Sequence, residues 1–411
     1  MAASASSLPV AIVGAGPAGA GLALLLASRG VPVTLIERQL DFEREFRGEV
    51  MMPSGLAALD AMGVRVEETA LPQRRPTELE IYVERRRVLR LTASAALFDG
   101  RTPLMVSQPA LLEHLVALAG RCESFRFLRG AAVRDLLREN GRVSGVRIET
   151  PQGEQQLVAR LVIGADGRAS VVRRRGGFEA TQRGTPLDIV WTKLPWPEGW
   201  GDALPARGYV AGGHLMITFP SPDAGLQIAW VILKGSYGEL KSRGIEDWVR
   251  EMANHTSGDL APHLRANAER LTRPFLLSSV TDRVHGWARP GVLVIGDAAH
   301  TMSPVGGQGI NVALRDAIVA ANWLVPALRS GADAAALDAA AAEIEPERGP
   351  EIDRIQALAA QPPRLVLARG VLPRLARRLL PVLLRLPLAR AAVGRTGALF
   401  LHGVTDVKLR V

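Results

Sequence analysis

The stretch GDAAHTMSPVGGQGIN, residues 296–311, completes a nucleotide-binding pattern that VAIVGAGPAGAGLALLLASRG, residues 10–30, begins. The earlier segment reads as an apolar strand, a Gly-rich turn and a helix, an order shared by many dinucleotide-binding proteins. In GAGPAG, Gly14 permits the tight turn, Gly16 lets backbone approach a pyrophosphate, and Gly19 allows close helix packing. Pro17 and Ala18 open a helix whose first N–H groups lack partners and face negative charge. Val33–Glu37 reads as a second buried strand, giving a right-handed βαβ unit. Glu37 stands about twenty residues beyond the glycines, with Arg38 beside it. An acid there accepts hydrogen bonds from ribose hydroxyls and disfavours a ribose phosphate. The competing reading is a structural turn with a surface glutamate, but strand, turn, helix, strand and acid fall in the required order.

In the later segment, Val292–Ile295 reads as a buried strand that delivers Gly296 and Asp297 to its carboxyl end, the edge where ligands bind in open α/β sheets. Asp297 is placed to hold ribityl hydroxyls. Pro304 stiffens the turn, and Gly306, Gly307 and Gly309 let backbone pass close to a flat ring. A helix then starts near Ile310 and Asn311, its positive end directed at that ring. A third segment, LVIGADGRASVVRR (residues 161–174), carries Asp166 and Gly167 in a turn, with Ser170 and Arg173 at helical offsets. One extended cofactor gripped at both ends, FAD bound tightly and without a covalent link, is the expectation. His300 reads as a structural histidine or cofactor neighbour rather than a base, and no metal is expected.

Around these motifs the chain reads as an α/β protein. A Rossmann-like FAD-binding domain is expected in three pieces, 1–75, 95–180 and 275–345. A mainly antiparallel β-sheet substrate domain, 76–94 and 181–274, is inserted into it, and 346–411 form a C-terminal helical region. Within the first domain, Leu111–Leu118 reads as helix and Leu157–Ile163 as one buried strand. The length of 411 residues exceeds a usual single core, which fits this division. No apolar run reaches the roughly 18 residues needed to cross a bilayer. No basic residue precedes the N-terminal apolar run, which argues against an export signal. Cys122 is the lone cysteine, which excludes an internal disulfide framework and points to the cytoplasm. The net charge of +9 rests almost wholly on arginine, only Lys193, Lys234, Lys241 and Lys408 being lysines. With no stacking pattern or nucleic-acid module beside it, nucleic acid is not an expected partner.

The three segments, in this order and spacing, resemble the group A FAD-dependent aromatic monooxygenases, the family with the p-hydroxybenzoate hydroxylase fold. The resemblance implies the GR2-type FAD domain, bound FAD, and NADH or NADPH as a transient co-substrate without a second Rossmann domain. It also implies a flavin C4a-hydroperoxide that passes one atom of O2 to an electron-rich substrate. Asp166 and Arg173 inherit roles toward both FAD and the nicotinamide. Arg47, in FRGEVMMPSG, matches an arginine that contacts the cofactor near the active site. Gln108, in VSQPALLEHL, stands where many members carry an FAD-contacting arginine, so the contact there has lost its charge. Pro304 matches the proline beside the flavin ring, and Gly307 and Gln308 match its edge.

The expected substrate is a small lipophilic aromatic or polycyclic molecule of secondary metabolism, hydroxylated or epoxidised. Trp191, Trp196, His214, Phe219 and Trp230 fall in the inserted domain, and Trp191, His214, Phe219 and Trp230 are the pocket candidates, against ordinary packing. The residues name no catalytic base. A reductase of the geranylgeranyl-reductase type is the alternative. A flavin halogenase is disfavoured because no Trp-x-Trp-x-Ile-Pro segment occurs. From Arg354 to Thr405 nine arginines stand among leucines with no acidic residue. Arg374, Arg378 and Arg385 share a helical face if Pro381 only kinks the helix, a basic amphipathic surface suited to peripheral contact with anionic lipid.

Overall fold

The structure, a computed structural model, describes residues 8–43, 49–184, 187–201, 203–360, 366, 370–383 and 386–411. β1 (Val10–Val13) is apolar and buried at every position, as a central strand covered on both faces must be. α1 (Pro17–Ala27) follows, buried at every residue from Ala18 to Ala27. A helix this apolar all round needs cover on every side. β2 (Val33–Glu37) returns parallel to β1, with Val10 opposite Val33 and Val13 opposite Ile36. β3 (Leu161–Gly164) adds to the other edge of β1, also parallel.

The chain then leaves this layer. β4 (Leu187–Pro195), β5 (His214–Pro220) and β6 (Gly225–Leu233) belong to a second, seven-stranded sheet in which β6 pairs antiparallel with both of the others. β7 (Val292–Val294) re-enters the first sheet beside β3, and α2 (Gly309–Arg329) packs on α1. The first sheet thus runs Ala288–Arg289, β7, β3, β1, β2, Phe125–Arg129, parallel except at the Ala288–Arg289 edge. Because β1, β3 and β7 are parallel neighbours, Gly14, Asp166 and Asp297 all follow strand carboxyl ends on one side of the sheet.

The second sheet has two apolar faces. Val190, Met216, Ile228 and Trp230 pack with Trp248, Met252 and Leu264 of the helices Ile245–Asn254 and Leu260–Ala266. Ile189, Trp191, Ile217 and Val231 form the opposite face, and Val305 of the Gly-rich loop packs against it.

Two boundaries differ from expectation. Leu157–Ile163 is two strands, because the chain changes sheets at Ala159 and Arg160. Gly153–Val158 pairs with Arg142–Thr150 in a largely exposed hairpin, whereas β3 lies in the core. The second sheet also runs past residue 274, since Phe275–Leu277 pairs with β4.

After α2 and the helix Ala334–Ala342, the described residues of the C-terminal region include α3 (Ile344–Ala359), α4 (Val371–Leu383) and α5 (Pro387–His402). The last residues are not helical. They lie along α2, where Asn322 donates to the Lys408 carbonyl (2.8 Å) and accepts from the Arg410 N–H (2.7 Å). On α4, Val371, Leu372, Leu375, Leu379 and Val382 are exposed, as is Arg378, while Arg377 is buried against Glu84. Arg385 lies outside the described residues. No helix among the described residues is long and apolar enough to cross a membrane.

Candidate functional site

Each glycine of the first turn has its own physical reason. Gly14 has φ +97°, and a Cβ there would lie 2.5 Å from the Ala165 carbonyl oxygen. A Cβ on Gly19 would collide with the Gly14 carbonyl oxygen, so the helix seats directly on the turn. Gly16 differs, for a Cβ there meets nothing within 4 Å. It caps α1 with an extended backbone and leaves open space before the free N–H groups of the helix, as a cradle for phosphate requires. Glu37, buried at the end of β2, accepts from the Ala15 N–H (3.0 Å) and the Gln39 N–H (3.0 Å), so it also braces the turn. Arg38, the next residue, is exposed.

The Asp-Gly motif takes a different form from the one expected. The Asp166 carboxylate turns inward and accepts from the Ser170 hydroxyl and from the N–H groups of Val171 (2.6 Å) and Val172 (3.2 Å), capping the short helix Val171–Arg175. Burial raises its pKa, while those hydrogen bonds oppose the rise. Arg173 is likewise internal, paired with Asp282 (2.9 Å) and donating to the Arg168 carbonyl (2.9 Å). The cation beside Asp297 is Arg168, whose Nε lies 3.3 Å from its carboxylate. Its place directly after Asp-Gly was the available signal.

Two further candidates are struts. Asn311 is fully buried. It accepts from the Met52 N–H (2.8 Å) and donates to the carbonyls of Val50 (3.1 Å) and Gly307 (2.8 Å). Gln308, also buried, donates to the carbonyls of Gly306 (2.8 Å) and Phe400 (2.8 Å). Their side-chain donors are therefore spent on holding the loop. Ile310 is buried in the core, Pro304 is half-buried in the loop, and Gly306 (φ +81°) and Gly307 (φ +63°) give it left-handed backbone. A Cβ on Gly309 would meet nothing within 4 Å, and the residue opens α2. Arg47 lies outside the described residues. Asn311→Ala is expected to lower stability by about 2–4 kcal/mol, because it leaves buried backbone groups unpaired. An earlier denaturant midpoint together with weaker FAD retention would show it.

Beneath the loop lies a buried charge network. His300 Nε2 is 2.7 Å from Asp316, and Arg348 pairs with both Asp316 (2.8 Å) and Glu351. Arg315 joins Glu351 at 2.7 Å, and Asp316 also accepts from the Gly296 N–H (3.1 Å). His300 is thus a structural partner that holds the segment carrying Asp297.

A cavity of about 510 Å³ separates the nucleotide domain from the second sheet. Phe42, Leu112, Trp191 and Phe275 supply apolar wall, while Glu49, Gln108, Lys193 and Gln227 supply polar groups. Trp191 and Phe219, in edge contact at 5.9 Å, lie on the sheet face turned to the Gly-rich loop. His214 and Trp230 do not join them. The period-2 alternation of β5 and β6 sends both to the opposite face, where they stack at 5.0 Å. His214 there meets Glu251 (3.1 Å) and stacks on His255, while Arg243 holds the other Glu251 oxygen.

An open helix N-terminus at α1, an acid at the end of β2 and an aspartate at the end of β7, set beside a cleft under a second sheet, make up the fold of an FAD-binding oxidoreductase. The family described as FAD binding domain matches residues 7–348, and the chain belongs to the group A FAD-dependent monooxygenases. It is 34% identical over 372 residues to 6-methylpretetramide 4-monooxygenase of Streptomyces rimosus, covering 88% of this chain and 85% of that one. Among solved structures it resembles PqsL, a probable FAD-dependent monooxygenase from Pseudomonas aeruginosa, at a TM-score of 0.75 and 25% identity, over 90% of this chain and 99% of that one. Aklavinone-11 hydroxylase, solved with FAD and aklavinone, shares the fold at a TM-score of 0.72 and 21% identity, over 88% of this chain and 68% of that one.

Proposed function

We propose that this FAD-dependent monooxygenase inserts one oxygen atom from O2 into a lipophilic polycyclic aromatic substrate, with NADH or NADPH as reductant. The cleft carries this reading. It is walled by aromatic and apolar side chains, holds a few converging polar groups, and at about 510 Å³ falls within the usual range for drug-sized ligands. The curated relative and the solved hydroxylase cited above bear the names of polycyclic substrates, which favours the same class.

FAD, when bound, supplies the transfer of two electrons from nicotinamide to dioxygen and the delivery of one oxygen atom. The chain positions the partners. Gly16 and the α1 N-terminus would hold the pyrophosphate, Glu37 the adenosine ribose and Asp297 the ribityl chain. The Gly306–Gly309 backbone and the α2 N-terminus would lie along the ring, and that helix end favours negative charge there. Trp191 and Phe275 would exclude water from the reacting face.

Purified protein incubated with NADPH and ¹⁸O2 should place one labelled atom in 6-methylpretetramide or aklavinone, followed by product mass. Reduction of either compound without oxygen would instead support the reductase alternative and sink this one. The exposed leucines of α4 beside Arg378 favour a second property, peripheral contact with anionic lipid. Co-sedimentation with phosphatidylglycerol vesicles but not phosphatidylcholine vesicles is the expected result.

A further inference from the structure

Glu49 stands at the start of the Val50–Met51 strand, and its backbone carbonyl accepts from the Val106 N–H (2.8 Å). Asn311 clamps the next residues of that strand, so the side chain projects from a fixed support. Only 8% of the residue is exposed, it lines the cavity, and its Oε2 has no hydrogen-bond partner among the described residues. A buried carboxyl oxygen left without a donor is uncommon and calls for an explanation.

The charged groups that share the cavity wall are Lys193 on β4, Asp223 in the turn between β5 and β6, Arg273 ahead of Phe275, and Glu43. Lys193 is paired with Asp223 at 2.8 Å. Burial pushes the Glu49 pKa up, Lys193 pulls it down, Asp223 adds to the rise, and the result is about 7. A carboxyl poised there can exchange a proton at neutral pH.

Resting on the proposed function above, we infer that Glu49 is the proton acceptor for a phenolic hydroxyl of the bound substrate. The phenol O–H bond breaks and a Glu49 O–H bond forms. The electron pair stays on the phenolate oxygen and spreads to the ring carbons ortho and para to it. Those carbons become the better nucleophiles toward an electrophilic oxygen. Once the carbon–oxygen bond has formed, the ring loses the hydrogen of the oxygenated carbon to solvent as a proton and regains its aromaticity, and Glu49 returns its own proton to the former phenolate oxygen. The neighbouring Lys193 ammonium, within the same wall, favours the transient negative charge.

The test uses the FAD-loaded enzyme and whichever of 6-methylpretetramide and aklavinone takes up label. For the wild type, kcat/KM should fall about tenfold per pH unit below about pH 7, since the base must be ionised. Glu49→Gln should lower kcat by about 10²–10³-fold and abolish that limb of the profile. Glu49→Asp should restore part of the rate and the limb, and both variants should keep wild-type FAD content. A Glu49→Gln enzyme with the wild-type rate and profile would overturn the inference while leaving the oxygenase reading intact. Loss of FAD in both variants would also overturn it, by assigning the carboxyl to cofactor retention. Wild-type enzyme that labels neither compound removes the oxygenase reading itself, and this inference with it.

Discussion

Gly16→Glu should give a folded protein that purifies without yellow colour. A Cβ at Gly16 meets nothing within 4 Å, and the residue has φ −71°, which any L-residue adopts, so the chain tolerates the substitution. The added carboxylate would stand at the N-terminus of α1, competing for the N–H groups that a pyrophosphate needs and repelling it. FAD affinity should fall by about 10³-fold or more, equivalent to about 4 kcal/mol. Gly14→Ala is the contrasting case. Its Cβ would press on the Ala165 carbonyl from a backbone at φ +97°, so that variant should fail to fold rather than merely lose colour. Flavin absorbance per protein and far-ultraviolet circular dichroism separate the two outcomes. Wild-type flavin content in Gly16→Glu would exclude this turn as the pyrophosphate site.

Arg348→Met should cost about 3–5 kcal/mol, the largest stability loss expected of a single substitution outside the Gly-rich turn. Arg348 is fully buried between Asp316 and Glu351, and its removal leaves two carboxylates in the interior with less than their full compensation. The urea midpoint should fall accordingly, and FAD content with it, because Asp316 holds the Gly296 N–H beside Asp297. The same network sets an acid limit. Burial drives the Asp316 pKa up, but His300 and Arg348 draw it down further, from 3.8 to about 2. A depressed folded-state value contributes stability that is full above about pH 4 and is lost as pH falls toward 2. Asp316→Asn should therefore be less stable than wild type at neutral pH and lose less on acidification. A variant whose stability falls in parallel with wild type down to pH 2.5 would contradict this assignment.

The pattern of apolar runs and glycines was enough to define β1, α1 and β2, the strand leading into Asp297, and the order in which the cofactor motifs recur. These features are local. A positive φ at Gly14, a proline opening α1 and a four-residue apolar strand are written in adjacent residues. They therefore carried the fold class and the cofactor.

Side-chain roles depend on partners far along the chain, and there local spacing was silent. Spacing places Asn311 and Gln308 beside the cofactor, but only the tertiary structure gives their side-chain amides Val50, Met52 and Phe400 as partners. Arg173 had the right offset, yet Asp282 claims it and Arg168 faces Asp297 instead. Alternation along β5 and β6 separates Phe219 from His214, but only the helices at 245–266 decide that Trp230 is covered and Trp191 is left to the cleft. Glu49 lies in the segment that drew notice for Arg47, and nothing in its spacing marks it out. Its significance comes from burial against β4 and the turn between β5 and β6, well over a hundred residues later in the chain, since packing alone sets the solvation of a carboxyl and hence its chemistry.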